Sequence, residues 1–230
     1  MTHKGQIAAQ DLRRRLQAPD FDAQVRRHPP PGVTLRTREE LEHSFEEILA
    51  GLLPGEDLHV FGYGSLMWNP GLEHIGSARA ALFGWHRRFC IHSLVGRGAP
   101  EAPGLMLALD RGGSCSGMVF RIQASKVRAE LAILWRREMT WGSYQARWVS
   151  ARIGSTPVRA VTFVVDRSQP RYLQQLGLPE TARLIATGCG QLGTCRAYFD
   201  ATLGQLRALG IADGYMERLD AALRSQPRCQ

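Results

Sequence analysis

The sequence contains no long hydrophobic run. No stretch of about 18 apolar residues occurs, and a membrane-spanning helix needs at least that length. The first residues, MTHKGQIAAQDLRRRLQ, lack the apolar segment of a secretory signal peptide. We therefore predict a cytoplasmic protein that has no membrane partner.

Cysteine is scarce and shows no ligand-like spacing. The five cysteines include no C-x-x-C pair, and their odd number argues against a disulfide framework and against a cysteine zinc site. His86 and His92 would share one face of a strand, but no third ligand lies at a suitable spacing. We predict no metal site and expect the cysteines to act as small apolar side chains. They are Cys90, Cys115, Cys189, Cys195 and Cys229.

Lysine is almost absent, although the chain is basic. The formal net charge is +8, yet lysine occurs only as Lys4 and Lys126. The excess positive charge lies in residues 57–230, where the arginines are scattered and are not interleaved with aromatic residues as on a nucleic-acid stacking surface. Such a surface can attract a small anion. We predict a small-molecule anionic substrate as the partner and no nucleic acid.

The chain is expected to form one main domain with an N-terminal addition. A length of 230 residues allows one sizeable core. Residues 1–55 are predicted to be a peripheral N-terminal arm and helix. The arm could hold a short helix over residues 8–17, followed by a stiff Pro-rich connector at residues 29–32. A second helix begins with a capping box at Thr37 and Glu40, buries one apolar face and ends at Pro54-Gly55.

Residues 56–230 read as several strands followed by helices. Alternating and continuous apolar runs predict strands, and a periodicity of 3.6 predicts helices. This order of elements indicates an α+β fold with a closed or half-closed sheet. The predicted strands are 58–63, 78–95 (a long strand or a hairpin), 105–109, 116–122, 147–153 and 158–165, and the predicted helices are 126–139, 180–190, 195–209 and 213–224.

A glycine-rich turn follows the first predicted strand. Gly62 and Gly64 bracket Tyr63, and Ser65 adds a hydroxyl group. Glycine allows a ligand to approach the main chain closely, and successive backbone N–H groups in such a turn can hold an anion. By itself the pattern is weak and favours an ordinary tight turn, because glycine-rich turns after strands are common.

Glu138 falls on the apolar side of the predicted helix 126–139. It lies 7 residues after Leu131 and 11 after Val127, so it shares their face. A carboxylate there is costly unless it is paired or used, and burial would raise its pKa towards the value that a proton-accepting group needs. An ion pair with Arg136 or Arg137 explains the position equally well. Nearby aromatic residues, Trp135, Trp141 and Tyr144, could line a pocket or belong to the core.

Together these stretches resemble the ChaC-type, glutathione-specific γ-glutamylcyclotransferases. VFGYGSLMWNP, residues 60–70, is similar to the family motif V-F-G-Y-G-S-L-[IM]-W. GWHRRFCIHSLVGRGAPEAPG, residues 84–104, resembles the stretch G-x-x-R-x-F…S…R-G…P-G, and WRREM, residues 135–139, resembles the segment that carries the catalytic Glu. A later Gly-rich turn is followed by Tyr198, as in the family. These matches run in order over residues 58–225.

The resemblance implies a fold, a reaction and a set of site residues. The fold is a γ-glutamylcyclotransferase-like mixed β-barrel or half-barrel flanked by helices, covering residues 56–230. The reaction cleaves glutathione to 5-oxoproline and Cys-Gly without a cofactor, and Glu138 accepts and donates the proton. Two alternatives stay open: a cyclotransferase for another γ-glutamyl amine, and a non-catalytic γ-glutamyl- or anion-binding module. The implied substrate-binding residues are Gly62, Tyr63, Gly64, Ser65, Leu66, Met67 and Tyr198.

Overall fold

A closed five-stranded β-barrel forms the centre of the molecule. The computed structural model describes residues 9–27, 29 and 32–226. The strands are joined in the order β1-β3-β2-β4-β5, and β1 closes the barrel by pairing with β5 in parallel at Val60 and Val161. Four strand pairs are antiparallel: β1 with β3, β3 with β2, β2 with β4, and β4 with β5. The strands are β1 (Leu58–Gly62), β2 (Gly76–Ser93), β3 (Gly104–Ile122), β4 (Tyr144–Ile153) and β5 (Thr156–Val165).

One strand was wrongly predicted as two. The sequence predicts separate strands over residues 105–109 and 116–122, but β3 runs through both segments. Its pairing with β2 continues from Arg111 opposite Trp85 to Ser114 opposite Phe83. Gly112 and Gly113 have positive φ angles, which glycine adopts without steric cost. The glycines therefore bend a continuous hairpin and do not end its strands.

Eight α-helices surround the barrel in the part of the chain that the structure describes. They are α1 (Ala9–Gln17), α2 (Phe21–Arg27), α3 (Arg38–Ala50), α4 (Ser65–Trp68), α5 (Val127–Leu134), α6 (Leu178–Thr187), α7 (Cys195–Ala208) and α8 (Gly214–Leu223). A 3-10 turn, Ala124–Lys126, precedes α5, and a small hairpin of β6 (Cys189–Gly190) and β7 (Gly193–Thr194) precedes α7. No described helix has both the length and the apolar character needed to cross a membrane. The predicted α+β class with a closed sheet is confirmed.

The predicted capping box starts α3. The Glu40 N–H donates to Thr37 Oγ1 at 3.1 Å, and the Thr37 N–H donates to Glu40 Oε2 at 2.8 Å. The helix ends at Ala50 and is capped by Gly51, four residues earlier than Pro54. Of the predicted proline-rich connector, Pro30 and Pro31 lie outside the described residues.

Two apolar clusters fill the fold. One lies between the barrel and α6, α7 and α8, and it includes Phe89, Tyr198 and Phe199. The other lies between the barrel, α3 and α5, and it includes Trp135 and Phe163. The first cluster holds Tyr198 and the second holds the helix that leads to Glu138, so the barrel wall between them positions both.

The N-terminal arm is attached to α5 by a buried ion pair. Arg13 donates from Nη1 and Nη2 to the two carboxylate oxygens of Glu130 at 2.6 and 2.7 Å. Arg136 donates to the Leu16 carbonyl at 2.8 Å, and Leu16 is buried. The first helix of the arm therefore covers one side of the element that precedes Glu138.

Candidate active site

Glu138 lies in a π-helical turn. The predicted single helix over residues 126–139 is regular only through α5, and the turn Trp135–Met139 that follows is π-helical. This corrects the prediction, because hydrophobic spacing does not distinguish a widened turn from a regular one. Such turns are frequent at functional sites. The Glu138 side chain is only 14% exposed, so the predicted burial of its carboxylate holds despite the change in helix type.

The carboxylate of Glu138 is both desolvated and paired. Its Oε1 lies 3.0 Å from Nε of Arg137. Burial raises the pKa of Glu138 above its ordinary value, and the adjacent Arg137 guanidinium opposes that rise without cancelling it. The predicted ion pair therefore exists, and its partner is Arg137. Arg136 instead contacts the arm, through the Leu16 carbonyl and Asp22.

Arg137 connects Glu138 to the glycine-rich turn. Its Nη2 donates to Ser65 Oγ at 2.8 Å, and its Nη1 donates to the Asn69 carbonyl at 2.7 Å. The guanidinium fork thus binds the carboxylate and the turn at the same time, as its planar geometry allows. The sequence named Arg137 as an ion-pair partner only, since the bridge depends on a fold that brings residues 65 and 137 together.

The turn itself is packed too tightly for side chains at its glycines. A Cβ added at Gly62 would lie 2.9 Å from the Leu66 Cβ. One added at Gly64 would lie 3.2 Å from the Tyr198 hydroxyl oxygen and 3.3 Å from Leu107 Cδ2. Tyr198 therefore lies directly against the main chain of the turn, so two separate sequence predictions meet at one place.

The side chains of Leu66 and Met67 belong to the apolar core. Both belong to the short helix α4, and both are buried in the apolar clusters. Their side chains are therefore occupied by packing, and only their main-chain atoms remain as candidates for contact with a ligand.

Tyr63 is held at both its ends. Its hydroxyl group donates to the Phe163 carbonyl at 2.8 Å, and its own carbonyl accepts from Arg87 Nε at 2.7 Å. Arg87 is buried, donates also to the Ser116 carbonyl at 2.7 Å, and pairs with Asp213, the N-cap residue of α8. Arg87 was not predicted as a site residue. The sequence feature that points to Arg87 is its position as the arginine of the G-x-x-R-x-F stretch.

The charge of Glu138 influences the pKa values of three buried tyrosines. Burial raises the pKa of Tyr63, Tyr144 and Tyr198, and the charge of Glu138 contributes to the rise in each. The Tyr144 hydroxyl donates to the Leu107 carbonyl at 2.8 Å, and the Tyr198 ring contacts the rings of Trp68 and Phe89 edge-on. All three phenols therefore stay neutral near pH 7 and can donate hydrogen bonds.

Trp135 is a structural residue. Its ring packs edge-on against Phe45 and Phe163, and its indole N–H donates to Ser44 Oγ at 3.0 Å. Trp141 is half-buried. Of the three aromatic residues considered as pocket lining, Tyr144 is the one with an ionisable group, and the Glu138 charge contributes to the rise in its pKa.

A separate cavity of about 240 Å³ contains none of the predicted site residues. It is bordered by Trp85, Arg147 and Arg167, together with Asp110 and Asp166. Asp110 accepts from Arg88 and from Tyr172, and Asp166 accepts from Ser168. Burial acts to raise the pKa of Asp110 and Asp166, but their hydrogen bonds outweigh it and hold both pKa values below the ordinary value, in contrast to the raised pKa of Glu138.

Comparison with known proteins identifies the family. The family model described as "ChaC-like protein" matches residues 58–226. The glutathione-specific γ-glutamylcyclotransferase of Escherichia coli K12 is 41% identical over 156 residues, which is 67% of each chain. The Schizosaccharomyces pombe protein of the same name is 30% identical over 197 residues, which cover 76% of this chain and 96% of the relative.

A solved structure shares the fold. A crystal structure of a yeast γ-glutamyl cyclotransferase specific to glutathione superposes with a TM-score of 0.68 over 73% of this chain and 96% of that chain, at 18% identity. With the family match over the barrel and the helices that follow it, the resemblance inferred from the motifs is confirmed. The chain belongs to the ChaC-like protein family.

Proposed function

We propose that this protein is a glutathione-specific γ-glutamylcyclotransferase, which cleaves glutathione to 5-oxoproline and Cys-Gly. The names of the E. coli and S. pombe relatives support the reaction and the substrate. The observation that carries the proposal is the desolvated carboxylate of Glu138, which Arg137 ties to the glycine-rich turn. A binding module has no need of a buried acid with a raised pKa, whereas a proton-transfer catalyst does.

The nucleophile of this reaction is part of the substrate. The α-amine of the γ-glutamyl group is mostly an ammonium ion at neutral pH, and it must lose a proton before it can attack. Glu138 accepts that proton as a general base. The amine nitrogen then forms a bond to the γ-carbonyl carbon, which closes a five-membered ring.

The second step breaks the original amide bond. The tetrahedral intermediate collapses, the bond from the γ-carbon to the cysteine nitrogen breaks, and the proton held by Glu138 passes to that nitrogen. The ring nitrogen, which became positively charged on attack, gives up its second proton to solvent, and the released Cys-Gly amine takes up a proton to become an ammonium ion. One carboxylate thus serves as base and then as acid, and it ends in its starting state. No covalent enzyme intermediate is formed, so the protein contributes position, proton transfer and electrostatic stabilisation.

The turn serves to hold the folded substrate. Main-chain N–H groups of Gly64, Ser65 and Leu66 are suited to bind oxygen atoms that carry negative charge. The glycines let neighbouring side chains pack directly on this main chain, and the hydroxyl group of Tyr198 lies against it at Gly64. Because the Leu66 and Met67 side chains are packed in the core, their role is to fix the shape of the turn.

The experiment compares two isomeric tripeptides. Reduced glutathione should yield 5-oxoproline and Cys-Gly, and the tripeptide with an α-linked Glu should yield neither, because its amine could close only a strained three-membered ring. Release of Cys-Gly from both isomers would indicate an ordinary peptidase. If glutathione is inert but another γ-glutamyl amine gives 5-oxoproline, the mechanism stands and the substrate assignment is wrong.

A further inference from the structure

Arg97 is a buried guanidinium that pairs with no anionic side chain among the described residues. It lies in the loop between β2 and β3, and the residue is 8% exposed. Its Nη1 is buried and has no hydrogen-bond partner among the described residues, and no acidic side chain of that part of the chain forms a salt bridge with it. The guanidinium instead faces the Tyr198 ring, with Cζ 5.9 Å from the ring centroid.

Such a position is energetically costly. A charged group removed from water loses hydration that only a counter-charge and hydrogen bonds restore. Accordingly, burial lowers the pKa of Arg97, and only the weak influence of Tyr198 and Cys195 acts in the opposite direction. By contrast, the buried Arg87 has Asp213 as its partner. Within the described part of the chain, Arg97 has no corresponding negative partner.

The main chain around Arg97 is closely packed. A Cβ at Gly98 would lie 2.0 Å from the Ser93 carbonyl oxygen, and one at Gly104 would lie 2.5 Å from the carbonyl oxygen of Arg97 itself. A Cβ at Gly190, in the small hairpin, would lie 2.4 Å from the Gly98 carbonyl oxygen. Backbone segments therefore pack directly on one another, and the base of the Arg97 side chain is held in place before any ligand arrives.

Arg97 and Glu138 have opposite effects on the pKa of Tyr198. Burial and the Glu138 carboxylate raise the pKa of Tyr198, whereas Arg97 and Arg137 act to lower it. The Tyr198 hydroxyl oxygen also lies 3.2 Å from the point where a Gly64 Cβ would be. Tyr198 therefore links the unpartnered guanidinium to the glycine-rich turn and to the proton-transfer group.

We propose that Arg97 binds a carboxylate of the γ-glutamyl peptide and so orients it across Tyr198. This inference rests on the proposed function. Glutathione supplies two groups of this chemistry, the α-carboxylate of its γ-glutamyl residue and the carboxylate of its glycine. An arginine binds either with paired, charge-assisted hydrogen bonds, and the bound carboxylate supplies the anion that the loop lacks.

The test separates substrate binding from turnover. Arg97→Gln should raise KM for glutathione about 10- to 100-fold, the range of a charge-assisted hydrogen bond, while kcat changes much less. Arg97→Lys should recover part of the loss. Arg152→Gln, which removes an exposed positive charge from β4, should leave KM unchanged and so controls for the general attraction of anions.

Two modified substrates identify the carboxylate. One is glutathione with its glycine carboxylate converted to an amide, and the other carries the amide at the γ-glutamyl α-position. For the amide that lacks the group bound by Arg97, wild type and Arg97→Gln should have the same KM as substrate, or the same Ki as inhibitor. For the other amide the difference should persist. A difference that persists with both amides, or an unchanged KM for glutathione, overturns the proposal.

Protein stability gives an independent measurement. Arg97→Met removes an unpaired buried charge, so its melting temperature should equal or exceed that of the wild type, whereas its KM should rise as for Arg97→Gln. A large fall in the melting temperature would show a structural role and would count against the proposal. If the wild type itself makes no 5-oxoproline, the proposed function fails. If it does and Arg97→Gln binds normally, only the role of Arg97 fails.

Discussion

The central pair of residues, Glu138 and Arg137, combines two opposing effects on one carboxylate. Burial raises the pKa of Glu138, and the guanidinium 3.0 Å away limits the rise. A general base works only when it is deprotonated. Turnover should therefore decline as the pH falls through the raised pKa of Glu138, at a higher pH than an ordinary surface carboxyl group would give.

Changing Arg137 should shift the pH at which activity falls on the acidic side of the pH–rate profile, here called the acidic limb. In Arg137→Gln the positive charge next to the carboxylate is lost, so the pKa of Glu138 should rise further and the acidic limb of kcat/KM should move to higher pH. The maximum rate should also drop, because Arg137 holds Ser65 and Asn69. The measurement is a pH–rate profile with glutathione.

The neighbouring arginine provides the control for that profile. Arg136 contacts Leu16 and Asp22 and not Glu138, so Arg136→Gln should leave the position of the limb unchanged. An unshifted limb in Arg137→Gln, or equal shifts in both variants, would contradict the assignment of the limb to Glu138.

At the level of elements, the sequence predicted most of the regular structure. The capping box of α3, the strand β1 and the helices α6, α7 and α8 follow from local patterns, and the structure has them within a few residues of the predicted bounds. These features are encoded locally, by side chains that bond to nearby backbone groups or by the period of apolar residues.

The features that were missed depend on distant parts of the chain. The π-helical turn at Trp135–Met139 has the same composition as a regular helix, and the polar, glycine-rich centre of β3 between its two apolar segments has no strand pattern of its own. Arg87 and Arg97 occupy arginine positions of the G-x-x-R-x-F…R-G motif, but the motif assigns neither a role. Only the fold shows that one anchors Tyr63 and that the other lacks an anion.

The glycine-rich turn should be sensitive to a single methyl group. Gly64→Ala places a Cβ 3.2 Å from the Tyr198 hydroxyl oxygen and 3.3 Å from Leu107, so one of them must shift. We expect kcat/KM for glutathione to fall roughly 10- to 100-fold, as for other small misplacements near reacting groups. Steady-state kinetics on the folded variant measure this effect.

A second glycine offers a matched control on the helix that carries Tyr198. Gly204 lies inside α7, and a Cβ there would meet nothing within 4 Å. Gly204→Ala should keep normal kinetics and stabilise the protein by up to about 1 kcal/mol, the difference in helix propensity. Normal kinetics in Gly64→Ala as well would show that the turn does not approach the substrate.

For the whole molecule, the proposed functional groups come from separate elements in and around one barrel. The turn follows β1, Glu138 follows α5, Tyr198 lies on α7 and Arg97 lies between β2 and β3. All of them lie within residues 58–226, the segment that the family model matches. The N-terminal arm contributes Arg13 to the buried Glu130 on α5 and contributes none of the predicted site residues.

Deleting residues 1–32 should therefore reduce stability more than turnover. The truncated protein loses Arg13, so Glu130 keeps its hydrogen bond from the Glu73 N–H but no longer has its ion-pair partner. Its melting temperature should fall, and Arg13→Gln in the full chain should reproduce part of that fall. Activity with glutathione should be largely retained below the melting transition. A folded truncated protein without activity would show that the arm completes the site.

The central claim is that Glu138 transfers the proton in the conversion of glutathione to 5-oxoproline, and the most direct test measures that product by mass spectrometry for wild type and Glu138→Gln. Glu130→Gln, at another buried carboxylate eight residues earlier, is the control and should retain activity. We predict clear 5-oxoproline formation by the wild type and a loss of roughly 100- to 10,000-fold in a folded Glu138→Gln protein. No product from the wild type, or a Glu138→Gln rate within about threefold of it, would contradict the account.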